Sequence, residues 1–182
     1  MNTSLDHLKE RLPDHARDLR INLGVLSADG TLTPRQRWGT ALASALAARN
    51  AEVIRAVAAA AAPHLDEPAA QAARAAASIM AMNNVYYRFL HFTGDDASPY
   101  KAMPARLRMQ VIGNPGVDHA EFELWCLAAS AITGCESCVR SHEQVVTQKG
   151  LTTAHVHEAV RIAAIVHALA ATLDGVDALG VR

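Results

Sequence analysis

Signals that start helices recur along this chain, and no stretch of it alternates apolar and polar residues for long enough to make a strand. Thr33–Pro34–Arg35–Gln36 joins an N-cap threonine, a proline at the first helical position and a glutamine at the third. Trp38, Leu42, Ala45 and Leu46 then follow at helical spacing. Asn50 marks a break, 51–62 reads as a short helix ended by Pro63, and a longer helix runs from Pro68 to about Phe92. The apolar stripe of that long helix is Ile79, Met82, Tyr86, Phe89 and Leu90. Alanine fills these segments, 37 of 182 residues, and favours helix because it has no side-chain rotamers to freeze. The span 93–117 holds three prolines and three glycines and reads as loop, with a short helix over 107–112. Asp118 to Glu121 has the form of a capping box opening a helix through Ala131. Thr133 to Glu136 has the same form and opens the next helix, which Lys149–Gly150 stops; Thr152 caps a last helix over 153–173. The expected fold is one all-α domain, with an N-terminal half over about 1–92, a linker over 93–117 and a C-terminal half over 118–182. WGTALASALAARN at 38–50 echoes WCLAASAITGC at 125–135, a hint of duplicated halves.

Hydrophobic residues make up 51% and charged residues 19% of the chain, which suggests that part of the exterior is buried by other subunits. A net charge of −1, no basic run and few aromatic residues give nucleic acid neither an electrostatic track nor a stacking platform. The first residues alternate charged and apolar side chains without an apolar signal core, and the alanine run before Pro63 is too weakly apolar to span a bilayer. A cytoplasmic protein without a membrane partner is therefore expected. Three cysteines there do not make a disulfide framework; two close together point to redox or metal chemistry.

Those two are Cys135 and Cys138, followed by His142. With Thr133 as N-cap, Cys135 stands at the second helical position and Cys138 one turn on, roughly on one face. The pair can close a disulfide without unfolding the helix, and the first turn stabilises a thiolate through its free N–H groups and dipole. His142 lies about 6 Å along the axis from Cys138 and about 10.5 Å from Cys135, so it suits Cys138 better as a base. Glu123, among Phe122, Leu124 and Trp125, risks burial and so needs a partner. The tight Thr133–Gly134 turn can bring it to His142, to orient the imidazole or relay its proton. Three other readings stand beside this one. Cys135, Cys138 and His142 could hold zinc with Glu123 or His119 as fourth ligand, though structural zinc usually pairs knuckles in loops. Cys138 and His142 could be core residues, and Glu123 could lie on a solvated face. Cys126, in an apolar run, reads as an inert core cysteine.

FELWCLAASAITGCESCVRSHE at 122–143, together with QRWGTALASALAARN, AAASIMAMNNVYYR, LRMQVIGNPGV and EAVRIAAIVHALA, resembles the alkylhydroperoxidase D branch of the carboxymuconolactone decarboxylase-like proteins over nearly the whole chain. The resemblance implies an all-α fold of two similar helical halves, commonly a homotrimer. It implies a thiol-dependent antioxidant enzyme that reduces alkyl hydroperoxides weakly and chiefly re-reduces a peroxiredoxin of the alkyl hydroperoxide reductase C type. Electrons would come from dihydrolipoamide through a lipoyl-bearing dihydrolipoamide acyltransferase and dihydrolipoamide dehydrogenase, with no tightly bound cofactor. The family's relay glutamate falls on Glu123, its redox disulfide on Cys135 and Cys138, and its downstream histidine on His142. The second cysteine is then the one that forms the sulfenic acid or the mixed disulfide. Some relatives carry histidine just before the second cysteine, where this chain has Ser137. A decarboxylase relative on the same scaffold would need no thiol.

Overall fold

The computed structural model describes residues 3–94 and 98–180, and among them every regular element is a helix. The segment 3–30, which carries no clear start signal, forms α1 (Thr3–Arg11) and α2 (Arg17–Asn22) with 3-10 turns at Asp14–Ala16 and Leu23–Leu26. Leu5, Leu8, Leu12, Leu23 and Leu26 bury this segment against the rest.

Side-chain caps then set the helix starts. Thr33 and Gln36 exchange hydrogen bonds at 3.2 and 3.0 Å, opening α3 (Pro34–Ala48). Asn50 accepts from the Val53 amide at 2.9 Å and opens α4 (Ala51–Ala61). Asp66 accepts from the Ala69 amide at 2.9 Å and opens α5 (Glu67–Phe92). The loop-rich stretch that follows holds α6 (Gln110–Gly113), a few residues later than expected. In α7 (His119–Thr133) Asp118 accepts from the amides of Ala120 and Glu121, but Glu121 does not complete a capping box; its carboxylate pairs with Arg35 at 3.0 Å instead. Then come α8 (Glu136–Gln148) and α9 (Thr153–Leu179), the latter six residues longer than its expected 153–173.

The long helix α5 turns a different face inward from the one its large residues suggest. Ala69, Ala72, Ala73, Ala76, Ala77, Met80, Asn83 and Asn84 are buried, whereas Phe89 stays 44% exposed. Small side chains let neighbouring helix backbones approach closely, so packing selects the alanine face and leaves the bulky one outside.

At the centre lies α7, packed by α3, α5, α8 and α9. Phe122, Leu124, Trp125, Cys126 and Leu127 are fully buried, the mark of a helix apolar all round. The Trp125 ring lies where a side chain on Gly39 would stand, and its Nε1 donates to the Gln36 carbonyl at 3.2 Å. Helix α9 is long and apolar enough to cross a bilayer by length and composition, yet Ala159, Ile162, Val166, Leu169 and Leu173 are buried within the fold. Its Glu158, 5% exposed, accepts from the amides of Thr31 and Leu32 at 2.6 and 3.3 Å and faces Arg37 at 3.5 Å. The start of α3 is thereby held to α9.

Helices α7, α8 and α9 run 15, 13 and 27 residues, against 15, 11 and 26 for α3, α4 and α5. Each first helix ends on a left-handed residue, Arg49 (φ 70°) or Gly134 (φ 69°), and each second helix starts from an extended one, Asn50 or Cys135. The two tryptophans of the sequence echo are not equivalent in this repeat. Counting back along the sequence from the left-handed caps sets Trp38 opposite Glu123 and Thr40 opposite Trp125.

Candidate active site

The turn between α7 and α8 differs by two residues from the one the sequence suggests. Thr133 is not the N-cap of the cysteine helix but the last residue of α7, and Cys135 is the cap residue of α8. The physical reason lies across the packing on α5. Asn84 donates to the Thr133 hydroxyl at 2.6 Å and accepts from Ser130 at 3.1 Å, while Arg88 donates to the Thr133 carbonyl at 2.5 Å. The Thr133 hydroxyl donates back to the Ala129 and Ser130 carbonyls and accepts from Asn84, so its oxygen is turned away from the amides of the next helix. Gly134 then adopts the left-handed conformation that glycine tolerates best, and Cys135 N donates to the Ser130 carbonyl at 3.3 Å to close the turn.

Cys135 therefore sits at the cap position and Cys138 at the third residue of α8. Their Cα atoms are 5.3 Å apart and their sulfurs form a disulfide. The two sulfurs differ in access. Cys135 is fully buried, with its sulfur 3.6 Å from the Ser137 hydroxyl; Cys138 is 6% exposed and lines a pocket of about 330 Å³. Met80, Tyr87, Met109, Ile112 and Val145 give that pocket largely apolar walls, and Glu123 and His142 line it with Cys138.

Glu123 is 3% exposed and His142 8% exposed, and they meet directly: His142 Nδ1 is 2.6 Å from Glu123 Oε2. This is the partner a carboxylate so deeply placed requires. The other carboxylate oxygen lies 3.8 Å from His119 Nδ1, one turn earlier on α7. His142 Nε2 is 3.1 Å from the sulfur of Met80, which is itself 1% exposed. Glu123 is thus a buried group rather than part of a solvated face.

Cys126 lies wholly within the core, and burial, with a further push from the Glu123 charge, holds its thiol well above the ordinary cysteine range. It stays protonated and unreactive at neutral pH. Among the described residues, no three His, Cys, Asp or Glu side chains are gathered as a metal site.

Sequence reasoning missed Met80, Asn84 and Arg88. The only trace of them is MAMNNVYYR at 80–88, where two amides interrupt an apolar helix. Three histidines outside the site have partners elsewhere: His64 stacks on Trp38 at 5.3 Å, His91 lies 3.3 Å from Glu136, and His155 accepts from the Thr152 amide.

The sequence profile of the Carboxymuconolactone decarboxylase family matches residues 99–180. Similarity to individual proteins runs much further. The chain is 54% identical over 176 residues to the alkyl hydroperoxide reductase AhpD of Rhodospirillum centenum, covering 97% of this chain and 94% of that one. It is 57% identical over 177 residues to the protein of the same name from Gluconacetobacter diazotrophicus, covering 97% and 96%. To that of Rhodopseudomonas palustris it is 52% identical over 171 residues, covering 94% and 93%.

Proposed function

As the chain belongs to the AhpD family of alkyl hydroperoxide reductases, and is a thiol oxidoreductase of that type, we propose that Cys138 is its peroxide-reactive sulfur, served by the Glu123–His142 pair. The observation that carries this reading is the shared pocket: the less buried sulfur of the disulfide, the imidazole and the carboxylate all line one cavity.

In the reduced enzyme His142, oriented by Glu123, takes the Cys138 proton. The thiolate attacks the outer oxygen of the hydroperoxide, breaking the O–O bond; the sulfur becomes a sulfenic acid and the alcohol leaves. The Cys135 thiol displaces the sulfenic oxygen as water and re-forms the disulfide. Two thiols are thus oxidised for one peroxide reduced. The apolar walls suit an organic hydroperoxide better than a charged substrate.

A dithiol resets the disulfide by exchange. Dihydrolipoamide, carried on an acyltransferase and regenerated by dihydrolipoamide dehydrogenase, is the donor in this reading. Attack falls on Cys138, because Cys135 is closed off. The same reduced pair would open the disulfide of a partner peroxiredoxin, with Cys138 again in the mixed disulfide. No tightly bound cofactor takes part.

The assembly in this reading is a homotrimer. What supports it is the outer face of α5, where Val85, Phe89 and Phe92 are 62%, 44% and 75% exposed at helical spacing. A cytoplasmic setting goes with it, since a working dithiol needs a reducing compartment. Purified Cys138→Ser, assayed with an organic hydroperoxide and a dihydrolipoyl donor, should lose turnover entirely. Undiminished peroxidase activity in that variant would overturn the assignment.

A further inference from the structure

One contact in the site has no part in the reaction as written. Met80 Sδ lies 3.1 Å from His142 Nε2, and both side chains are buried. A thioether sulfur has lone pairs and no hydrogen, so it can only accept. A hydrogen bond at that distance requires a proton on Nε2. The other ring nitrogen, Nδ1, shares a second proton with Glu123 across 2.6 Å. Whether that second proton sits on the ring or on the carboxyl, the pair holds one proton more than a neutral imidazole facing a carboxylate.

We infer that Met80 is a positioning residue that stores a proton on His142 Nε2 while Cys135 and Cys138 are joined. This rests on the reading of His142 as the base for Cys138, and it assigns the base a second state. When the dithiol is oxidised, the proton that leaves Cys138 stays on Nε2 and turns to the Met80 sulfur, since Cys138 can no longer take it back. When the mixed disulfide later releases Cys138 as a thiolate, Nε2 returns the proton to it and is again a free base. In the disulfide state His142 is thus a loaded acid.

The proton count follows. Both thiols lose hydrogen, the Cys135 proton leaves with the sulfenic oxygen as water, and the Cys138 proton remains on His142. The departing alkoxide must then take its proton from elsewhere, so each disulfide formed draws one proton from the solvent. If Nε2 were bare in the disulfide state, both thiol protons would end in alcohol and water and the solvent would lose none. Few ionisable groups compete. Among the described residues, the ionisable side chains that line the pocket with His142 in the disulfide form are Glu123 from α7 and Tyr87 from α5, with His119 3.8 Å behind Glu123.

Proton uptake is measured in the reduced full-length protein, in weak buffer near pH 7 with an indicator dye, on adding one equivalent of cumene hydroperoxide. Uptake approaching one proton per disulfide is expected; none would overturn the proposal. Diamide accepts both thiol hydrogens itself, leaves the same proton demand on His142, and forms the disulfide even in a protein that does not reduce peroxides. Failure of the peroxidase reading is thereby kept apart from failure of this one. Met80→Leu conserves volume but removes the acceptor, and should move the pH of half-maximal uptake down by about fivefold in proton affinity, the worth of one modest hydrogen bond. Met80→Gln, which restores an acceptor, should bring it back. If Met80→Leu proves unstable, the Nε2 nitrogen-15 resonance of the oxidised wild type decides: a protonated-type shift is expected, and a lone-pair shift overturns the proposal.

Discussion

The two helix corners of this protein share a backbone and differ in what they do with it. At the first, Asn50 follows left-handed Arg49, accepts from the amide of Val53 and donates to Asp174 at 2.7 Å. At the second, Cys135 follows left-handed Gly134 and makes no side-chain cap bond; its sulfur bonds to that of Cys138. Counted along the sequence from those caps, Val53 corresponds to Cys138 and Val57 to His142. The same link, from the cap residue to the third residue of the helix, is a hydrogen bond in one half and a reducible covalent bond in the other. A cap hydrogen bond is given up where the chemistry is, and the lost capping energy, about 1 kcal/mol, is the cost of placing a sulfur there.

Making the second corner like the first should therefore produce the largest effect. Cys135→Asn is expected to abolish turnover, by three orders of magnitude or more given how units of covalent catalysis fail together. It should also make the protein about 1 kcal/mol more stable than the reduced wild type in urea unfolding. Turnover within tenfold of wild type would break the comparison.

Next comes the group that has no counterpart across the repeat, since Trp38 stands where Glu123 does. Glu123→Gln keeps the shape and removes the charge that orients His142. A fall in kcat of about a hundredfold is expected, within the usual range of general acid–base contributions, along with a changed pH–rate profile. An unchanged profile would remove Glu123 from the relay.

A converse experiment sharpens the point. Asn50→Cys with Val53→Cys places a cysteine pair on the first corner, where Trp38 and Val57 replace the acid and the base. Oxidation should cross-link that corner, as shown by thiol counting and mass, while peroxidase activity per active site stays at the wild-type level. A measurable gain would mean that the helix corner alone suffices.

Much of this was legible from local chemistry. Thr33 reads as a cap because its oxygen reaches the amide three residues ahead, which needs nothing beyond the neighbouring sequence, and the break expected at Asn50 is where the next helix starts. The need of Glu123 for a partner followed from its apolar neighbours, and the short turn made His142 reachable. Thr133 was misplaced because its hydroxyl and carbonyl are claimed by Asn84 and Arg88 of α5, some fifty positions away in the chain. The inner face of α5 was misread for a related reason: hydrophobic size favours one face, while close packing of helices favours the alanines. Met80 shows the same limit, since only the fold brings a thioether of α5 to an imidazole of α8.

The smallest expected effect compares the starts of the two long helices. Asp66 caps α5 and pairs with Arg35 at 2.9 Å; that pairing first, and the Ala69 amide second, hold its carboxyl below the usual range. A depressed folded pKa gives stability that is present above the unfolded value and is lost as pH falls through the folded one. The cap of α9, formed by Thr152 and His155, holds no carboxylate. Amide exchange should show the start of α5 loosening below about pH 4 while the start of α9 does not, and Asp66→Asn should remove that pH dependence. Equal loosening of both helices would contradict it.

The claim that the second corner is a redox centre is tested most directly by counting thiols. The reduced protein should show three per chain when denatured. After one equivalent of an organic hydroperoxide it should show one, assigned to Cys126, and the Cys138→Ser variant should form no intramolecular disulfide. Three thiols remaining in the treated wild type, or a disulfide that engages Cys126, would contradict the account.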